Sequence, residues 1–198
     1  VPLFLTCTSN MMSSGLREII AQLVRHKKIA AIITTTGFIE EDIMKSKKPF
    51  LVGSFDVDDV EVKANGLNRI GNLFVADEQY CDLEDFHMAF LKEMAAKTLK
   101  MSPSEYIKEL GRRVTDENSV LHWASINNIP IYCPGFVDGA LGDHFFFFSA
   151  LFSAFVGTSM PARDADFTAI EVHGSSGVSR IARSSAICAD SVHPPLVT

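Results

Sequence analysis

Two carboxylates, Asp138 and Asp143, each beside a glycine (Gly139 and Gly142), close a stretch that runs from Ile129 to Asp143. It opens with the apolar run Ile129 to Cys133, of strand-like composition and length, and breaks at Pro134-Gly135. In an open α/β sheet, ligands collect just beyond the carboxyl ends of the strands. A strand that hands over to a Gly-rich, acid-bearing loop is therefore a candidate binding loop. The more ordinary reading of such a loop is that its Asp residues cap turns or the next helix.

Two further junctions shift that balance. The run Pro2 to Thr6 is followed by Thr8-Ser9-Asn10 and Ser13-Ser14-Gly15. The run Ile29 to Ile33 is followed by Thr34-Thr35-Thr36-Gly37 and then Glu40-Glu41-Asp42. Hydroxyls near a helix N-terminus favour phosphate, because backbone N–H groups and the positive end of the helix dipole meet there. Glu40 and Glu41 would point toward a cationic ligand. The alternative for 40–48, acids at one end of a short helix and bases at the other, is compensation of the macrodipole. No G-x-G-x-x-G fingerprint accompanies these loops, so spacing by itself supports a dinucleotide site only weakly.

The elements that must position these loops follow from periodicity. Leu16, Ile19, Ile20, Leu23 and Val24 share one helical face, predicting a helix over 14–28 with Ser13 or Ser14 as its cap. Strand, helix and strand over residues 2–33 make one βαβ unit, and such units build parallel sheets. Residues 53–82 read as loop-rich, with Asn65-Gly66 and Gly71 as breakers. Helices are expected over 84–99, from Ser102-Pro103 to about Gly111, and after a cap at Asp116 or Asn118. Trp123 reads as core, and the aromatics and methionines of 84–99 read as packing. Beyond Asp143 come four phenylalanines, Phe145 to Phe148. No lysine lies between Glu109 and Thr198, although the first 108 residues hold ten.

Length and composition bound the class. With 198 residues, 47% hydrophobic and 21% charged, the chain can bury one proper core. The net charge of −6 argues against a nucleic-acid surface, and Arg25 to Lys28 read as the charged last turn of a helix. No apolar run is long enough to span a bilayer. The cysteines at 7, 81, 133 and 188 show no paired spacing and read as reduced, packed thiols, with no metal site. A cytoplasmic location is expected. The Val-Pro start, directly on a strand, suggests a fragment or a missing N-terminus.

Several of these stretches resemble deoxyhypusine synthase of the eukaryotic type. They are Thr8 to Glu18, Thr35-Thr36-Gly37 with Glu40-Glu41-Asp42, Asn65 to Leu73, Glu117 to Val120 with Trp123-Ala124, and Pro134 to Asp143. They stand in the family's order over residues 1–149, and plant-type homospermidine synthases would look similar. The resemblance implies an α/β fold, a Rossmann-like mostly parallel sheet with helices on both faces, incomplete at the C-terminus. It implies use of NAD to take a hydride from spermidine. The aminobutyl group then passes through an enzyme lysine to one lysine of the initiation factor 5A precursor, in a tetramer with sites shared across a dimer interface.

By the same resemblance Ser9, Asn10, Met11, Met12, Ser13, Thr35, Thr36 and Gly37 would contact NAD. Asp138 would hold its ribose region, and Glu41 would lie between cofactor and polyamine. Glu40 and Asp143 would pair with spermidine nitrogens. The sequence departs from the family at Phe38, where a second glycine is usual, and at His144, where Met is usual. The family's Gly-Gly turn with its histidine, its Gly-Ser-Asp loop and its Trp-Gly-Lys motif with the nucleophilic lysine do not occur here. Residues 150–198 therefore read as a divergent, partly disordered tail. Two alternatives stand beside the enzyme: a non-catalytic family member that serves as a regulatory or structural subunit of a homo- or hetero-tetramer, and a simpler NAD- or polyamine-binding module.

Overall fold

The computed structural model describes residues 1–97 and 101–156, with side chains to 148. Of the divergent tail expected over 150–198, residues 150–156 continue the last helix and the rest falls outside those residues. The order of elements is β1 (Phe4–Thr6), α1 (Asn10–Ser13), α2 (Arg17–Arg25), β2 (Ala31–Ile33), α3 (Thr36–Lys45), β3 (Leu51–Val52) and α4 (Asp59–Ala64). There follow β4 (Leu67–Ile70), β5 (Leu73–Ala76), α5 (Asp77–Lys97), α6 (Pro103–Gly111), α7 (Val120–Asn127), β6 (Ile131–Tyr132) and α8 (Ala140–Val156).

The three strands read from the sequence make one parallel sheet in the order β1-β2-β6. Its register puts Thr6, Ile33 and Tyr132 in one row. Three loops therefore leave the same edge of the sheet together, as the chemistry requires. Residues 53–82 are more regular than a loop: they hold α4, the start of α5, and β4 and β5, which with β3 just before them form a second, antiparallel sheet. Short alternating segments between Gly66 and Gly71, both at positive φ, leave too little periodicity for a sequence reading to find.

The helices are set by capping and by apolar stripes. Ser102 and Glu105 form a reciprocal capping box at the start of α6, with Pro103 in its first turn, a pattern that satisfies two orphan donors. The cap of α7 is Ser119, whose hydroxyl accepts from the His122 amide, rather than Asp116 or Asn118. Asn128 ends α7 in the left-handed region at φ 55°, which asparagine tolerates. The helix expected over 14–28 is shorter: the separate α1 ends at Ser13, and α2 runs from Arg17 to Arg25 with no serine side-chain cap. Only one side of its apolar face is core: Ile20, Ala21 and Val24 are buried, whereas Leu16, Ile19 and Leu23 are exposed.

The core gathers Ile32 and Ile131 from the sheet, Phe38, Ile39 and Ile43 from α3, and Leu110 and Leu121 from α6 and α7. Each such side chain stabilises the fold by about 1.5–3 kcal/mol through burial. Trp123 is only half-buried: its indole N–H donates to the Glu117 carbonyl at 2.8 Å, and the Arg25 guanidinium lies 4.5 Å above its ring. Cys7 and Cys133 are free thiols. Cys81 is disulfide-bonded, against the expectation of reduced thiols, and Cys188 lies outside the described residues. No helix among the described residues is long and apolar enough to cross a membrane.

Candidate functional site

Helix α3 distributes the acidic triplet. At 3.6 residues per turn, consecutive side chains point about 100° apart, so Glu40, Glu41 and Asp42 reach three different neighbours. Glu40 accepts the Leu141 backbone N–H at 2.8 Å, at the start of α8. Glu41 accepts the Ser13 hydroxyl at 2.5 Å, on α1. Asp42 faces inward and is fully buried. It takes Arg17 Nε at 2.6 Å, the Ser119 hydroxyl at 2.7 Å and the Leu121 amide at 2.8 Å.

Asp42 is thus scaffold. Arg17 completes the network through Asp116 at 2.8 Å and Ser46 at 2.8 Å. A buried ion pair holds only when its remaining donors and acceptors are satisfied, and here they are. Residue type and spacing placed Asp42 with the two glutamates; burial separates them. Arg17 lies inside the motif-bearing stretch Thr8 to Glu18, but nothing there marked its role, because an arginine in the first turn of an amphipathic helix reads as surface.

Glu40 and Glu41 are buried but have no ion-pair partner among the described residues. Burial pushes the Glu40 carboxyl up to about 7; the Leu141 amide opposes this, while Glu41 and Asp143 add to it. Burial likewise pushes Glu41 up to about 7, against the Ser13 hydroxyl and Lys45. Asp143 is raised by burial as well. Tyr80, on α5, is pushed up to about 12 by burial and by Glu40 and Glu41; no sequence motif marked it. The macrodipole reading fails, since neither glutamate lies in the first turn of α3.

The loops around the pair meet closely. Thr36 donates its hydroxyl to the Gly135 carbonyl at 2.6 Å, tying α3 to the loop after β6. A Cβ on Gly37 would stand 2.8 Å from Ser9 Cβ, and one on Gly139 would stand 2.5 Å from Glu40 Oε1. Lys45 donates to the Met12 and Ser14 carbonyls at 2.8 and 3.0 Å, fixing the end of α1. Among the expected cofactor contacts, Ser9, Asn10, Met11, Thr35 and Gly37 keep exposed or half-buried positions around this edge, and Asp138 is exposed. Met12 is fully buried in the core, and the hydroxyls of Ser13 and Thr36 are already engaged. Phe38 turns its ring into the core instead of crowding the loop. No group of three or more potential metal ligands occurs among the described residues.

A family model described as deoxyhypusine synthase matches residues 1–160. A probable deoxyhypusine synthase of Pyrococcus furiosus is 43% identical over 158 residues, covering 75% of this chain and 47% of that one. One of Schizosaccharomyces pombe is 45% identical over 149 residues, covering 73% and 43%. The deoxyhypusine synthase of Senecio vernalis is 44% identical over 149 residues, covering 73% and 40%. The chain spans a little under half the length of these curated relatives. Among solved structures, a deoxyhypusine synthase candidate from Entamoeba histolytica superposes with a TM-score of 0.61 at 29% identity, covering 76% of this chain and 46% of that one.

Proposed function

The chain belongs to the deoxyhypusine synthase family, and from that premise we propose that it serves the NAD-dependent transfer of the aminobutyl group of spermidine to a lysine of the initiation factor 5A precursor. The observation that carries this reading is the pair Glu40 and Glu41: buried, adjacent, forming no ion pair among the described residues, and both raised by burial even though Lys45 and the Ser13 hydroxyl oppose this at Glu41. Carboxylates buried in this way are costly in their charged form, and a ligand that brings ammonium groups relieves them. A polyamine is a chain of such groups, so Glu40 and Asp143 hold its nitrogens, with Glu41 between polyamine and cofactor.

The donor set fits NAD. The N-terminus of α3, with Thr35, Thr36 and Gly37, offers backbone N–H groups to phosphate, and the facing segment carries Ser9, Asn10 and Met11, with Met12 and Ser13 contributing backbone only. The close approach of Gly37 to Ser9 keeps that loop narrow. Asp138, exposed at the same edge, suits ribose hydroxyls. When bound, NAD supplies the hydride acceptor that amine oxidation needs. The chain's own part is to bind both ligands, orient the amine and keep the carboxylates dry. The active assembly is a cytoplasmic tetramer of family chains.

A second reading is favoured by one observation: no lysine follows Lys108 in these 198 residues. In that case the chain acts as a regulatory or structural subunit, contributing Glu40, Glu41, Asp138 and Asp143 to a site whose nucleophile a partner provides. One experiment separates the two. The purified chain is incubated with NAD, spermidine labelled in its butyl carbons and the factor precursor, alone and with a full-length family member. Label in the factor with the chain alone makes it an enzyme. Label only on mixing, beyond the full-length protein's own rate, makes it a subunit. No label and no stimulation in either arm overturns both.

A further inference from the structure

Helix α8 carries Asp143, and its placement depends on how the helix is rolled about its axis. Leu141 and His144 lie three residues apart, on one buried stripe, while Asp143 lies about 100° round from His144. A helix with its side chains has a radius of about 6 Å, so a 20° roll would carry the Asp143 carboxylate by about 2 Å. That is enough to change which groups it meets. One end of the stripe is held by the Leu141 amide on Glu40.

The other end meets a buried polar chain that the proposed reaction does not use. His144 Nδ1 lies 3.2 Å from His87 Nδ1, on α5, and His87 Nε2 lies 2.5 Å from the Tyr106 hydroxyl, on α6. His87 is fully buried, and His144 and Tyr106 nearly so. Neutral imidazoles satisfy this chain in one of two consistent senses, because each ring has one donor and one acceptor. Either Tyr106 donates to His87 and His87 to His144, or every bond runs the opposite way. Phe145 and Phe136 pack around Tyr106, at 5.0 and 5.5 Å between ring centres, but apolar packing is non-directional. Hydrogen bonds weaken steeply with angle, so the chain resists rotation where the rings do not.

We propose that Tyr106, His87 and His144 form a positioning relay that sets the roll of α8 and so holds Asp143 and the Leu141 amide in place against Glu40. Its functional meaning rests on the polyamine reading given above. Burial holds His87 at about 3 and His144 at about 4, so the relay is neutral at physiological pH. The titratable group that meets it from a packed element is Tyr106 of α6, with Asp143 next to His144 along α8. Arg113 lies one layer out, over the Phe90 ring that stacks on His87, at 5.3 Å, and pairs with Glu93.

The test reads α8 directly. In the full chain, His87→Leu removes both polar contacts while keeping bulk, His87→Asn keeps an amide near the Nδ1 position, and Tyr106→Phe removes a single hydroxyl. Amide hydrogen exchange at Leu141 should accelerate at least tenfold in His87→Leu and less in Tyr106→Phe, with the β2 amides unchanged. His87→Asn should restore most of the protection. Spermidine affinity, by calorimetry, should fall in the same order. Leu141 protection that stays unchanged in both His87→Leu and Tyr106→Phe overturns the relay. So does protection that His87→Asn fails to restore. Failure of the unaltered chain to bind spermidine instead overturns the polyamine reading, and the exchange data still decide the relay.

Discussion

Glu40 and Glu41 set the pH behaviour of the site. Both carboxyls lie at about 7 in the fold against 4.5 ordinarily, so the folded state binds more protons than the unfolded one between those values. Their contribution to stability is present below pH 4.5 and lost as pH rises through 7, by about 3 kcal/mol for each group. His87 and His144 act in the opposite sense: their values are lowered, so their contribution is lost as pH falls below 6.5. The difference between the native chain and Glu40→Gln isolates the carboxylate. In urea unfolding, the variant should gain about 3 kcal/mol on the native chain between pH 5 and pH 8, and equal curves would place Glu40 in water. A bound polyamine returns these carboxyls to their charged form. Spermidine binding at pH 7 should therefore release about one proton, read from calorimetry in two buffers of different ionisation heat. Gly139→Ala puts a methyl 2.5 Å from Glu40 Oε1. It should weaken spermidine at least tenfold and leave NAD binding within about twofold, for a cost on the order of 1.4 kcal/mol.

At the scale of elements, α3 is the hub. Eight of its ten residues are buried, and its polar side chains bind α1, α2, α7, α8 and the loop after β6 to one another. Asp42 does most of this: it joins Arg17 to the N-terminus of α7, where Ser119, Val120 and Leu121 all donate to it. Asp42→Ala leaves Arg17 as a buried, half-partnered cation and takes the acceptor from the Ser119 hydroxyl and the Val120 and Leu121 amides at the start of α7. The expected cost is about 3–5 kcal/mol in chemical denaturation; a loss below 1 kcal/mol would mean the network is dispensable. Lys45, one turn from Glu41, holds the end of α1 by its carbonyls. Lys45→Met should therefore weaken NAD about tenfold while leaving the unfolding midpoint nearly unchanged, because the lysine is only half-buried.

Across the whole molecule, apolar surface remains on one side of α2 and along β1. Leu16, Ile19 and Leu23 are exposed, as are Phe4 on β1, an edge strand among the described residues, and Leu3 just before it. Phe145 to Phe148 are largely packed: Phe148 is buried, and of the four only Phe146, at 56%, is open. An open strand edge beside an apolar helix face favours association. Sedimentation velocity of the chain should show species larger than the monomer, and Ile19→Lys with Leu23→Lys should shift the distribution toward monomer. A native chain that sediments as a monomer throughout would show that this face is inert.

The sequence by itself determined the family, the parallel βαβ start, the three strand-end loops and the acidic character of the site. Each of these is local: apolar runs, turn residues and short motifs survive without knowledge of neighbours. Only the tertiary structure decided the rest. It sorted Glu40, Glu41 and Asp42, because a helix sends adjacent residues to different neighbours and burial depends on what those are. It paired residues 57 and 99 positions apart, in His87 with His144 and Arg17 with Asp116, through contacts that leave no trace in spacing. It also found a second sheet where breakers suggested loop, since strands of two to four residues are stabilised by their partners and not by their own pattern.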